Sequence, residues 1–164
     1  MIALKPISLF DVNAKECGDL LTTKEQEKFV SPNVYSLAQA YHLNRKGIKS
    51  CAMPYAIYAN DKMVGFVMYG FFEPSFDDDC KAGEDHYYFW RFMFDKNEQN
   101  KGYGREAMRQ VIEEVRKMPK GRARHFYTSV EPENVVATRL YESFSFKKTG
   151  EIMDGEEIMR LELE

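Results

Sequence analysis

Residues 86–95, His86-Tyr87-Tyr88-Phe89-Trp90-Arg91-Phe92-Met93-Phe94-Asp95, carry aromatic or apolar side chains at most positions. A strand of this kind has both faces covered and belongs in the middle of a sheet. The six residues Lys96 to Lys101 that follow are polar, and Gly102-Tyr103-Gly104 comes next. Ala107, Met108, Val111, Ile112 and Val115 then mark one face of a helix that must stop before Pro119 and Gly121. A central strand, a loop with two close glycines and a helix therefore succeed one another, and the rest of the chain has to be built around that unit.

Upstream, residues 2–9 alternate loosely as an edge strand that tolerates Pro6. Ser31-Pro32 reads as a helix start, with Val34, Leu37, Ala38 and Tyr41 recurring at helical spacing until Gly47. After Pro54, Tyr55–Ala59 and Met63–Phe72 read as a hairpin around Asn60-Asp61. Downstream, 125–130 is strand-like, and Glu131-Pro132-Glu133-Asn134 introduces a helix bearing Val136, Leu140 and Phe144. Residues 145–164 form a second hairpin around Asp154-Gly155. This order predicts an α/β fold with a mixed, mostly antiparallel sheet and helices on both faces, as one domain spanning 1–164.

The 164 residues carry a formal charge of −3, with Lys and Arg scattered, which argues against a nucleic-acid partner. Cys17, Cys51 and Cys80 are widely spaced and form no C-x-x-C, so neither a zinc knuckle nor a disulfide framework is indicated. His42, His86 and His125 are isolated and give no metal-binding spacing. With no signal-peptide pattern and no apolar run of membrane length, the expected location is the cytoplasm and no membrane partner is expected.

Two glycines at a helix mouth let a backbone approach an anion, and the helix N-terminus adds partial positive charge. A Walker loop is absent, because no G-x-x-x-x-G-K-[ST] string exists. Gly102 to Ala107 fits the dinucleotide pattern G-x-G-x-x-A, but six residues intervene after the strand and only 60 follow Gly104, too few for a doubly wound sheet. The bare alternative is a helix-entry turn. Gln99, Gly102 and Gly104 match a third pattern, Q-x-x-G-x-G after a central strand.

With that loop the chain resembles the GNAT superfamily of N-acetyltransferases, well over residues 50–164 and more loosely before them. The resemblance implies an acetyl-CoA site in which Gln99, Asn100, Lys101, Gly102, Tyr103 and Gly104, with Arg105 opening the helix, wrap the pyrophosphate. It implies a cofactor strand that splays from its neighbour, with backbone groups of Phe92, Met93 and Phe94 pairing with pantetheine. Asn134, Ala137, Leu140 and Tyr141 are in register with the family's second block, where the Asn contacts pantetheine and the Tyr lies near the sulfur. A tyrosine hydroxyl suits the role of general acid to a departing thiolate, while core packing is the plainer reading of Tyr141. Ser145 stands where the family often has Gly, so a backbone needing positive φ would be strained there.

Val64-Gly65-Phe66-Val67-Met68-Tyr69-Gly70-Phe71-Phe72 and Asp154-Gly155-Glu156 resemble bacterial polyamine N-acetyltransferases. That likeness implies a spermine or spermidine substrate and a homodimer or larger oligomer. Glu73, Asp77, Asp78, Asp79 and Glu84 are then candidate amine ligands, with a solvated loop as the alternative for each. No G-x-S-x-G elbow and no activated cysteine is visible, so direct attack in a ternary complex is expected rather than an acyl-enzyme. Another amine acceptor, or acyl-CoA binding without turnover, stays open on the residues alone.

Overall fold

The computed structural model describes residues 1–8, 11–74 and 82–164. Seven strands form one sheet: β1 (Ile2–Pro6), β2 (Cys51–Ala59), β3 (Lys62–Phe72), β4 (His86–Phe94), β5 (His125–Val130), β6 (Lys147–Met153) and β7 (Glu156–Glu162). Their order is β1-β2-β3-β4-β5-β7-β6. All neighbours are antiparallel except β4 and β5. Helices α1 (Val12–Asp19) and α2 (Asn33–Asn44) pack on one face, while α3 (Tyr103–Arg116) and α4 (Val135–Ser143) pack on the other.

The aromatic strand takes the central place its sequence predicts. Tyr87 and Phe89 join the core beneath α3, where Met108, Val111 and Val115 are fully buried. Tyr88 and Met93 join the core beneath α2, beside Leu37 and Leu43. Gly65 is what lets β3 lie close to this strand. A Cβ there would sit 2.5 Å from the Met93 carbonyl oxygen and 2.9 Å from the Phe94 ring.

Three local expectations change. Strand β2 begins at Cys51 and runs through Pro54. Ile7 N–H donates to the Pro54 carbonyl just past the last β1 residue, so the missing proline N–H faces a place where no ladder partner is needed. In α2 the buried face is Asn33, Ser36, Leu37, Ala40 and Leu43, whereas Val34 and Tyr41 are exposed. Polar groups lie inward because they are satisfied there: Asn33 Nδ2 donates to the Cys17 carbonyl at 2.9 Å. In α4, Val136 is exposed and Tyr141 is the buried residue. Ser145 does adopt the left-handed backbone its position demands, at φ 71°.

Candidate active site

The strand that most constrains the fold also opens the sheet. β4 pairs with β5 only through Tyr87–Phe126, Tyr88–Tyr127 and Phe89–Thr128, and beyond them the two strands part. A bulge in the β3–β4 ladder falls at the same place, between the pairs Tyr69–Phe89 and Met68–Arg91, leaving Trp90 without a ladder partner on β3. Such a bulge re-aims side chains and bends a strand. Here it turns Phe92 and Phe94 to the face of Phe89, while Trp90 packs on the opposite face. Rings Phe89, Phe92 and Phe94 then follow one another edge to face, with centroids 5.3 Å apart at each step.

A cleft of about 980 Å³ occupies the parting. One wall is β4 and the loop after it, including Phe92, Met93, Phe94, Gln99, Asn100, Lys101, Gly102, Tyr103 and Gly104. A second wall is the end of β5 with Asn134, Ala137, Leu140 and Tyr141. The third, unforeseen wall is the irregular segment around 22–32. Drug-sized sites occupy roughly 300–1,000 Å³, so this volume admits a long ligand together with a small one.

The loop ends on a helix terminus that no side chain caps. Gly102 is the N-cap of α3 at φ 78°, and no side chain caps the helix, so its first N–H groups are left for a ligand. Gly104 has a different reason. A Cβ there would project among Phe94, Phe92 and Leu140 at 3.6–4.0 Å, filling cleft space rather than clashing. Gln99 is used internally: its Nε2 donates to the Phe94 carbonyl at 3.1 Å and to Gln26 Oε1 at 2.6 Å. Its side chain thus shapes the loop, and Lys101 likewise is held by Glu98 at 2.7 Å. Glu98 is buried with Lys62 and Lys101 against it, which holds its carboxyl below the usual range.

On the far wall Asn134 caps α4, its Oδ1 accepting from Ala137 N–H at 3.2 Å, which leaves its Nδ2 donors without a hydrogen bond among the described residues. Tyr141 packs edge-on to Phe89 with centroids 5.9 Å apart and is 7% exposed. Burial pushes its hydroxyl up to about 12, a rise that Thr128 opposes and the Glu156 charge reinforces. The hydroxyl therefore stays protonated at any physiological pH.

Several sequence candidates are not in this cleft. Arg105 turns away to donate to Ser143 Oγ at 3.1 Å and to cover the Phe144 ring. Glu84 binds His125 Nδ1 and lines a separate depression with Asp85, Arg122 and Arg124. Glu73 is fixed through its backbone N–H to Ser50 Oγ. Asp77, Asp78 and Asp79 lie outside the described residues. Conversely, Trp90, Thr128, Ser129 and Glu156 line the cleft without being site candidates in the sequence, although Glu156 belongs to the Asp154-Gly155-Glu156 string of the polyamine-enzyme resemblance. Only Glu156 had a signal, its place directly after the Asp154-Gly155 turn.

The model of the acetyltransferase (GNAT) family matches residues 18–146. The chain belongs to the GNAT family of acetyltransferases. A GNAT protein of Bacillus subtilis strain 168, the spermine/spermidine N(1)-acetyltransferase, is 33% identical over 157 residues, covering 93% of this chain and 99% of the relative. Among solved GNAT structures, an aminoglycoside acetyltransferase in complex with coenzyme A superposes with a TM-score of 0.76 at 16% identity, covering 99% of this chain and 95% of the other. Spermidine N-acetyltransferase from Vibrio cholerae, in complex with CoA and spermine, superposes with a TM-score of 0.65 at 13% identity over the same shares. This GNAT chain is thus an acetyl-CoA-dependent N-acetyltransferase. The uncapped α3 terminus and the space left by Gly104 fit such a co-substrate.

Proposed function

We propose that this enzyme acetylates a primary amine of a polyamine such as spermine or spermidine, by direct attack within a ternary complex, with Tyr141 as the general acid. The observation that carries the mechanism is the parting of β4 from β5 with the Tyr141 ring at its apex. Backbone groups of Phe92, Met93 and Phe94 pair with the pantetheine amides along the freed strand edge. The N–H groups of Gln99–Gly104 and the α3 terminus hold the pyrophosphate, and the Asn134 amide donates from the opposite wall.

Tyr141 hands its proton to the sulfur as the C–S bond breaks. A phenol near 12 and a free thiol near 8.5 are poorly matched in water. A thiolate leaving into the same dry pocket is raised by the same desolvation, which narrows the gap. Direct transfer is supported by the two cysteines among the described residues: burial raises the Cys17 thiol to about 12 and also raises Cys51, the reverse of an activated nucleophile.

The polyamine reading rests on the Bacillus subtilis relative and on the carboxylates of Glu27, Glu131 and Glu156 in the cleft. The test is a thiol-release assay with acetyl-CoA against spermine, spermidine, an aminoglycoside and a peptide N-terminus. The expected result is a kcat/KM for a polyamine at least tenfold above the others. A preference for either of the other acceptors overturns the polyamine assignment.

A further inference from the structure

The cleft passes through the sheet, and its two sides differ in chemistry. Tyr141 and Thr128 stand on the α3/α4 side, with Phe89 and Phe92. On the α1/α2 side a chain of three hydrogen-bonding groups ends in a carboxylate. Tyr88 donates its hydroxyl to Ser129 Oγ at 2.8 Å, and Ser129 donates in turn to Glu156 Oε2. Both donors point toward the carboxylate, so Oε2 is fixed by a relay anchored in the core, where Tyr88 is 4% exposed. Glu156 Oε1 carries no hydrogen bond among the described residues, and the side chain lines the cleft beside Trp90. The carboxylate also lies near enough to Tyr141 for its charge to be felt there.

We propose that Glu156 is the group that takes the proton from the attacking amine, and that Ser129 and Tyr88 are positioning residues that aim its Oε1 at the nitrogen. The acceptor it fits is an alkyl primary amine, whose cationic form is attracted by the carboxylate. The inference rests on the acyl-transfer reading above but not on which amine is preferred.

The amine enters as its ammonium and gives one proton to water; the freed nitrogen lone pair then forms a bond to the thioester carbonyl carbon, and the C–S bond breaks. One N–H proton passes to Glu156 Oε1, and one proton passes from the Tyr141 hydroxyl to sulfur. A carboxylate is too weak a base to strip a free alkylammonium near 10. The nitrogen becomes far more acidic as its bond to carbon forms, and a carboxylate already in place then suffices. Acid and base stand on opposite faces of the sheet, so neither has to quench the other.

The test uses the full chain with whichever alkylamine the wild type acetylates best, so a wrong acceptor assignment does not decide it. Glu156→Gln should lower kcat by about 100-fold or more, with the Kd for acetyl-CoA and the Tm unchanged. With trifluoroethylamine, whose weakly basic nitrogen, once bonded to carbon, loses its proton readily even to water, the gap between wild type and E156Q should shrink at least tenfold. Ser129→Ala should lower kcat by about tenfold while S129T, which keeps the hydroxyl, restores it. Should E156Q lose acetyl-CoA binding, E156D and S129A carry the same comparison. A kcat within threefold of wild type, a change confined to the amine KM, or an equal loss with trifluoroethylamine would each overturn the assignment.

Discussion

Tyr141 shows how one side chain can be half legible. Its spacing from Asn134 and Ala137 marks it in the sequence, but the same spacing suits a core aromatic. In the fold it is a core aromatic, packed against Phe89 and Phe146, that also lines the cleft. Tyr141→Phe keeps the ring and removes the proton. Expected is a fall in kcat of roughly 10² to 10⁴-fold with acetyl-CoA affinity preserved in a titration. Because burial raises the folded value to about 12, the hydroxyl stays protonated well past 10. The kcat–pH curve should therefore show no alkaline loss from this group at pH 10. Equal turnover by Y141F would return Tyr141 to packing alone. Glu156 was not legible in this way, because its meaning depends on Ser129, 27 residues distant and reached only across the β5–β7 ladder.

At the scale of elements, hydrophobic grammar was most readable where packing is one-sided or fully apolar. α3 and β4 match their patterns because Val111 and Val115, or Tyr87 and Phe89, have no other place to go. α2 and α4 bury faces other than those their spacing predicts, because polar groups satisfied inside, or apolar groups facing a cleft, break that grammar. The glycine loop separates into two roles that the motif cannot distinguish, and a pair of variants resolves them. Gly102→Ala forces a side chain into a left-handed position and should cost about 1–2 kcal/mol of stability. Gly104→Val adds volume among Phe92, Phe94 and Leu140. It should leave the Tm nearly unchanged and weaken acetyl-CoA binding more than tenfold. If thermal melts show the reverse order, the assignment of conformation to Gly102 and space to Gly104 is wrong.

Over the whole molecule, the cleft draws on stretches that are remote in sequence, and the segment around 22–32 is the one least visible beforehand. It is tied across the cleft by Lys28 to Glu133 at 2.8 Å, by the reciprocal Gln26–Gln99 amide pair, and by Leu21 N–H to Asp95 at 3.1 Å. The Lys28–Glu133 pair is exposed on both sides, at 59% and 71%, so it adds little on its own. The wall is therefore held by a few polar ties and by Val30 against the core on the α1/α2 side, and its order should depend on the ligand it encloses. Acetyl-CoA at a hundredfold its Kd should stabilise the chain by about 2.7 kcal/mol, raising the Tm by roughly 5–10 °C for a chain of this size. Amide hydrogen exchange should slow in 22–32 together with 99–104 and the start of α4. Lys28→Ala should leave the Tm of the free enzyme unchanged while lessening the protection of 22–32 in the bound form. A rise in Tm with no added protection in 22–32 would mean that acetyl-CoA engages only the β4 and α4 walls, and that this segment is a bystander to binding.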